Sequence, residues 1–366
     1  MQLTALSPPP DAVPPDAPPG PRPSTAGGLA SRRRSPVAAS RHRRWRALAL
    51  TGLALVVIVM ASLALGSKAI PLPDVVAALT GRGADSRTAS LVVGLRLPRT
   101  VAGLVAGTAL ALAGAVVQAL TRNPLADPGI LGVNAGAACA VALAVGLLGV
   151  DRPAFYAFFA LAGALAIAVV VCVLGLGDPL RLILTGMALG AVLAGLTGAI
   201  RLTDRQAFNA MMAWEIGSLA DKSWDVIAPL APFAAVGAVL ALGLGPRLDA
   251  LALGQDTAAS LGVNLPATRA LALAALSLLA GAATALVGPI GFVGLMVPHL
   301  ARRLVGASQP WVLALSALLG PSLLLAADVI GRLVASPAEI RAAIVTAFVG
   351  APLLIHLALR PKLVTL

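Results

Sequence analysis

The chain has 366 residues, of which 58% are hydrophobic, 11% charged and 3% aromatic, and its mean hydropathy is +0.92. A soluble domain carries about 25% charged residues, so this composition excludes a water-soluble enzyme and points to a polytopic membrane protein. The formal charge of +12 is no nucleic-acid signal, because eight arginines and only two aspartates fall within residues 1–46 and supply half of the excess.

Residues 1–46 also hold ten of the 28 prolines and close on Arg41, Arg43, Arg44, Trp45 and Arg46. Such a segment cannot bury a core and is expected to be a disordered cytoplasmic tail, leaving 47–366 as the transmembrane domain. The run 47–65 has only Thr51 and Ser62 as polar members and is long enough to span a bilayer. Its basic flank and its length are both greater than a cleaved signal sequence needs. Further spans are expected at about 100–120, 133–150, 154–174, 182–200, 226–244, 269–287, 289–300, 310–331 and 340–358. Ten spans make an all-α bundle with both termini on one side, and the arginine cluster fixes that side as cytoplasmic. Beyond the tail, the outer loops carry more Lys and Arg than the inner ones, and this excess needs a cause. Of the connections, 67–99 lies outside with a short helix near 73–79. The outer segment 201–225 places Trp214 and Trp224 at the interface, and 245–268 is the longest inner loop after the tail.

The chemistry available within the spans is sparse. Proton- or sodium-coupled carriers keep an ionisable residue inside a span, yet here the acidic residues fall at span ends or in loops. Cys139 and Cys172 lie in apolar runs as small hydrophobes. The three histidines and two isolated cysteines form no metal or hydrolase cluster. Lys68, Lys222 and Lys362 follow Ser, Asp and Pro, so no Gly-Lys-Ser/Thr phosphate loop exists. Any work of transport must draw its energy from another polypeptide.

An ordered set of motifs runs from about residue 70 to 358. It comprises Arg96-Leu-Pro-Arg99, Gln118, Asn123-Pro-Leu-Ala-Asp-Pro128, Leu131-Gly-Val-Asn-Ala-Gly136 and Trp214-Glu-Ile-Gly-Ser-Leu219. Leu253-Gly254 with Leu261-Gly-Val263, and Gly288-Pro-Ile-Gly-Phe-Val-Gly-Leu295 with Pro298-His299, follow. Asp328 with Gly331-Arg332, Thr346-Ala347 and Gly350-Ala-Pro352 close it. In this set the chain resembles the FecCD-type permease family of binding-protein-dependent iron–siderophore and cobalamin ABC importers. The resemblance implies the ten-helix architecture of a type II ABC importer permease, a non-catalytic subunit without a cofactor. It also implies a second permease subunit (as a homo- or heterodimer), two cytoplasmic ABC ATPase subunits and an extracytoplasmic solute-binding protein. The implied cargo is a ferric siderophore, with cobalamin or heme as alternatives within the family. An ion-coupled secondary transporter is the alternative from a different class.

The same resemblance assigns roles to particular residues. Arg96 and Arg99 stand outside, before the second span, where a cation opposes the helix dipole. The implied role is a socket for carboxylates of the binding protein, since arginine suits bidentate contact, and the plain alternative is snorkelling to headgroups. Arg332 joins this docking set by motif, although Asp328 four residues earlier offers an intrahelical pair. In 245–268, Leu251, Leu253, Ala258 and Leu261 give an apolar face, and Gly254 and Gly262 permit sharp turns. The resemblance makes these six residues the surface that couples to the ATPase, with a helix lying on its own bundle as the alternative. Gln255-Asp256 stands where the family commonly has an acidic pair. The inner gate is implied at Asp178, Pro179 and Leu180, although small polar residues are usual there. Arg341 and Ala343 replace the family's common Pro and Gly. Asn123-Pro124, Asp127-Pro128 and the capping box Ser336-Pro-Ala-Glu339 are expected to begin helical turns, and His299 to be structural. Gly103/Gly107, Gly186/Gly190 and Gly291/Gly294 are expected to let spans approach closely.

Overall fold

Within lipid, an apolar run must satisfy its own backbone, and only a helix does so inside one segment. The computed structural model describes residues 36–81, 85–150, 152–175 and 179–358, and among these every regular element is helical. The order is α1 (Pro36–Ala64), α2 (Leu72–Thr80), α3 (Ser86–Ala89), a π-helical stretch (Ser90–Arg96) and α4 (Leu97–Thr121). A 3-10 turn (Pro128–Leu131) leads to α5 (Val133–Gly146), α6 (Pro153–Gly175), α7 (Pro179–Thr203), α8 (Arg205–Glu215) and α9 (Trp224–Gly243). The chain ends with α10 (Gly245–Ala252), α11 (Gln255–Ser260), α12 (Leu265–Val287), α13 (Val293–Val305), α14 (Gln309–Val334) and α15 (Ala342–Ala358).

Each of the ten expected spans is a helix, but they are not equivalent. Seven are long and apolar enough to cross a membrane, in α1, α4, α6, α7, α9, α12 and α14. The other three, α5, α13 and α15, have 14, 13 and 17 residues. At 1.5 Å per residue α5 and α13 reach about 20 Å, short of a hydrocarbon core about 30 Å thick. Such helices need protein around them. Accordingly α5 packs among α6, α7 and α12, and α13 lies against α4 and α14. The molecule is an integral membrane protein.

At the middle lies α4, in contact with α14, α12, α13 and α9. Backbone approach there depends on glycine. A Cβ on Gly114 of α4 would lie 1.8 Å from the Gly294 carbonyl oxygen of α13, and one on Gly107 would lie 2.5 Å from Cα of Pro321 in α14. Small residues at such crossings replace the hydrophobic drive that lipid does not provide.

Two expectations about the sequence need correction. Residues 36–46, grouped with the disordered tail, form the first turns of α1. Arginine and alanine are good helix formers, and the segment is tied down. The Arg44 Nε donates to the Val305 carbonyl (3.0 Å), its guanidinium lies 5.7 Å from the Trp311 ring centre, and Trp45 meets Trp311 edge-on at 5.3 Å. Ser336-Pro-Ala-Glu339 begins no helix; α15 starts at Ala342. Glu339 is drawn instead to Arg99 (2.8 Å), and the Ile340 amide donates to the Gly331 carbonyl. Asp127 does cap, accepting from the Gly129 amide at the start of the 3-10 turn.

Candidate functional site

The ends of α1, α4 and α14 converge on one face, and there the three arginines singled out by their motifs come together. Arg99 grips Asp328 with two nitrogens, Nη2 to Oδ1 at 2.7 Å and Nε to Oδ2 at 3.0 Å, and reaches Glu339 with Nη1. Arg332 takes the other side of Asp328 (Nη2 to Oδ2, 3.1 Å) and donates to the Ser62 and Leu65 carbonyls at 3.1 and 2.8 Å. Arg332 and Asp328 are 3% and 1% exposed, so this pair belongs to the interior. The Arg96 Nη1 donates to the Leu63 and Ala64 carbonyls, both at 2.8 Å, and its Nη2 donates to that of Lys68. The apparent conflict between Arg96 and the dipole of α4 is thereby resolved: both Arg96 and Arg332 cap the carbonyl end of α1, where a cation is favoured.

A cavity of about 620 Å³ opens beside this brace, lined by Arg96, Arg99, Arg332 and Glu339 together with Asp221 and Lys222. Lys222 is half-buried and forms no salt bridge among the described residues. Burial pushes its ammonium below the ordinary lysine range, and Asp221 offsets part of the shift. The motifs did not mark Lys222; its only signal was a lysine, one of three in the chain, within an outer loop.

At the opposite end, α10 and α11 form a compact elbow. The expected apolar face divides in two: Leu251 and Ala258 are buried, whereas Leu253 and Leu261 are 66% and 63% exposed. Gly254 (φ 115°) and Gly262 (φ 80°) bracket α11 in backbone conformations that L-residues rarely adopt. Sequence reasoning missed what fixes the elbow. Asp249 of α10 accepts the Gln309 amide and the Ser308 hydroxyl, so it caps α14 and locks α10 to it. The elbow and the arginine brace thus sit on the two ends of α14, whose 26 residues span about 39 Å. Of the gate residues, Asp178 lies outside the described residues, Pro179 begins α7, and Leu180 is exposed.

Between these ends Gln118 holds α4 to α13. Its Nε2 donates to the Ala126, Gly294 and Leu295 carbonyls at 3.2–3.3 Å, while its Oε1 accepts from Arg302. His299 is buried one turn before Arg302. Thr284 of α12 donates to Asn134 of α5 at 2.9 Å. Gln118 and Asn134, both within the motifs, thus act as cross-ties between helices.

Residues 54–360 match the model of the FecCD transport family. The ferric enterobactin transport system permease protein FepD of Escherichia coli (strain K12) is 45% identical over 323 residues, covering 86% of this chain and 96% of that protein. The Fe(3+)-citrate import system permease protein YfmD of Bacillus subtilis (strain 168) is 41% identical over 276 residues, 75% and 82% of the two chains. The hemin transport system permease protein HmuU of Yersinia pestis is 36% identical over 277 residues, 73% and 83%. Among solved structures, an inward-facing putative metal-chelate type ABC transporter superposes with a TM-score of 0.76 at 30% identity, over 86% of this chain and 98% of that one. With a match across most of its length and relatives well above 30% identity, the chain belongs to the FecCD transport family.

Proposed function

We propose that this chain is the membrane-spanning permease subunit of an ABC importer that carries a ferric siderophore across the cytoplasmic membrane. The observation that carries this reading is the 45% identity, over nearly the whole of both chains, to a ferric enterobactin permease. The identity to an Fe(3+)-citrate permease supports the same cargo class. A second permease subunit, two cytoplasmic ABC ATPases and an extracytoplasmic solute-binding protein complete the assembly in this reading. ATP is then hydrolysed on the partners, and the chain itself is not an enzyme. Reconstituted with its ATPase and binding protein, the permease is expected to take up radiolabelled ferric siderophore only with ATP. Uptake by the chain alone would favour an ion-coupled carrier and overturn the importer reading. The hemin permease among the relatives makes hemin the second cargo to test; hemin that competes for uptake better than ferric siderophores would replace them.

In the same reading Arg96, Arg99 and Arg332 form the docking face for the binding protein. Arg96 and Arg99 stand at the cavity, and Arg332 acts from below by fixing Asp328 and α1. The cations that line the cavity suit carboxylates on the partner. The α10–α11 elbow is the ATPase-coupling surface, with exposed Leu253 and Leu261 as its contacts, Leu251 and Ala258 anchoring it, and Gly254 and Gly262 shaping it. Residues 178–180 keep their place as the inner gate. Both termini are cytoplasmic, an orientation that rests on the arginines at the start of α1.

A further inference from the structure

An apolar groove runs between α1, α13 and α14. It holds about 280 Å³ and is lined by Ile58 of α1, Met296, Val297 and Leu300 of α13, and Leu319 and Leu323 of α14. Ser322 also borders it, but its hydroxyl donates to the Leu318 carbonyl within its own helix, so the groove offers no free polar group. An apolar groove alone names no occupant. What selects one is the end of the same three helices.

There the start of α1, the end of α13 and the start of α14 meet through the Arg44–Val305 hydrogen bond and the Arg44–Trp311 and Trp45–Trp311 ring contacts. This rim carries Arg41, Arg43, Arg44 and Arg46 from α1 and Arg303 from the last turn of α13, and Arg303 is exposed. The start of α1 and the last turn of α13 carry no acidic residue to neutralise them, and the Asp249 carboxylate at the start of α14 is engaged by the Gln309 amide and the Ser308 hydroxyl. Trp45 and Trp311 set the depth, because indoles favour the boundary between headgroups and acyl chains. Along α13 the groove opens at Leu300, three residues or about 5 Å below Arg303, and along α14 at Leu319, about 12 Å below Trp311. That spacing matches a phosphate at the rim with one acyl chain running down into the half-bilayer, about 15 Å deep.

We infer that this groove and its arginine rim bind one anionic phospholipid, with the phosphate held by Arg44 and Arg303 and an acyl chain lying between α1, α13 and α14. Charge chooses the headgroup class, since basic pockets between membrane helices attract anionic lipids, and the apolar groove requires a lipid rather than a soluble anion. Bound there, the lipid adds an apolar bridge to the packing that α1 already makes with α14 and α13. The inference rests on the chain being a membrane protein and is independent of what it transports.

The test is native mass spectrometry of the full-length permease released from nanodiscs of equal phosphatidylglycerol and phosphatidylcholine. The wild type is expected to retain phosphatidylglycerol over phosphatidylcholine by about tenfold. Arg44→Gln with Arg303→Gln is expected to bring the ratio to near unity while leaving lipid bound, and Leu300→Trp, which fills the groove, to lower retention of both. Because Arg44 also ties α1 to α13, Arg303→Gln alone provides the check on folding: a reduced ratio at an unchanged melting temperature supports the site. Equal retention by the wild type would overturn the inference, and so would a preference that survives the double substitution. Displacement of the lipid by inorganic phosphate would reassign the rim to a soluble anion. A Leu300→Trp protein that changes oligomeric state with lipid retention intact would give the groove to a second copy of the chain.

Discussion

Asp328 accepts from two guanidinium groups while almost wholly buried, and its removal leaves Arg332 without its counter-charge and Arg99 with Glu339 alone. Breaking a buried pair by deleting one partner typically costs about 3–5 kcal/mol, so Asp328→Asn is expected to lower unfolding stability in detergent by that amount. Glu339 is 37% exposed and, among the described residues, pairs with Arg99 alone, and Glu339→Gln is expected to lose no more than about 1 kcal/mol. Equal losses would show that the brace is not organised around Asp328. The same geometry dictates how docking must be tested. Reversing Arg99 would set a new carboxylate against Asp328 and confound binding with folding. Arg96→Glu and Lys222→Glu break no salt bridge among the described residues and change the charge of the cavity. Together they are expected to abolish the stimulation of ATPase activity by the binding protein. Because Arg96→Glu also removes the caps on the end of α1, Lys222→Glu alone, expected to weaken the stimulation at an unchanged melting temperature, separates docking from folding. Stimulation that persists would remove the docking role.

At the scale of the element, the crossing of α4 and α13 tolerates no side chain at Gly114, because the neighbour is backbone and cannot turn aside. Gly114→Ala is expected to destabilise the permease markedly, whereas Gly52→Ala on α1, with nothing within 4 Å, is expected to be neutral or slightly stabilising. Thermal unfolding of the two variants reads the difference directly. The elbow calls for a different measurement. Leu253→Ala with Leu261→Ala removes two exposed side chains and is expected to leave the fold intact while uncoupling ATP hydrolysis from uptake; coupled uptake at the normal rate would sink that assignment. These two elements also mark what the sequence could reveal. Span positions were legible because apolar runs and their charged ends are local properties. Gly114 was not singled out, because nothing near it in the chain announces Gly294. Leu251 and Leu253 looked alike in the sequence, and only the packing of α10 on α4 and α14 buries one and leaves the other exposed. The capping box at Ser336 failed for the same reason, since Glu339 found a stronger partner 240 residues away.

For the molecule as a whole, α14 carries the brace at one end and, through Asp249, the elbow at the other. A single helix about 39 Å long thus joins the two surfaces proposed for docking and coupling, and the link could be seen only after folding. The sequence revealed each motif but not that one helix serves both, because Asp249 and Gln309 are 60 residues apart. Orientation is the property on which both assignments depend. In the loops expected outside, arginines such as Arg96 and Arg201 are consumed as helix caps and ion pairs, which accounts for part of the basic excess counted there. The rim of α1 is different, since its arginines are largely exposed, and in the proposed orientation they hold it on the cytoplasmic side. Replacing Arg41, Arg43, Arg44 and Arg46 with glutamine is therefore expected to produce a mixed population, while deletion of residues 1–35 keeps a single orientation and normal uptake. A cysteine placed at residue 221 and labelled with an impermeant maleimide in intact cells reports the outcome: full labelling in the deletion and partial labelling in the glutamine variant. Full labelling in both would mean that orientation is written in the later spans, and the cytoplasmic placement of the elbow would have to be argued from those instead.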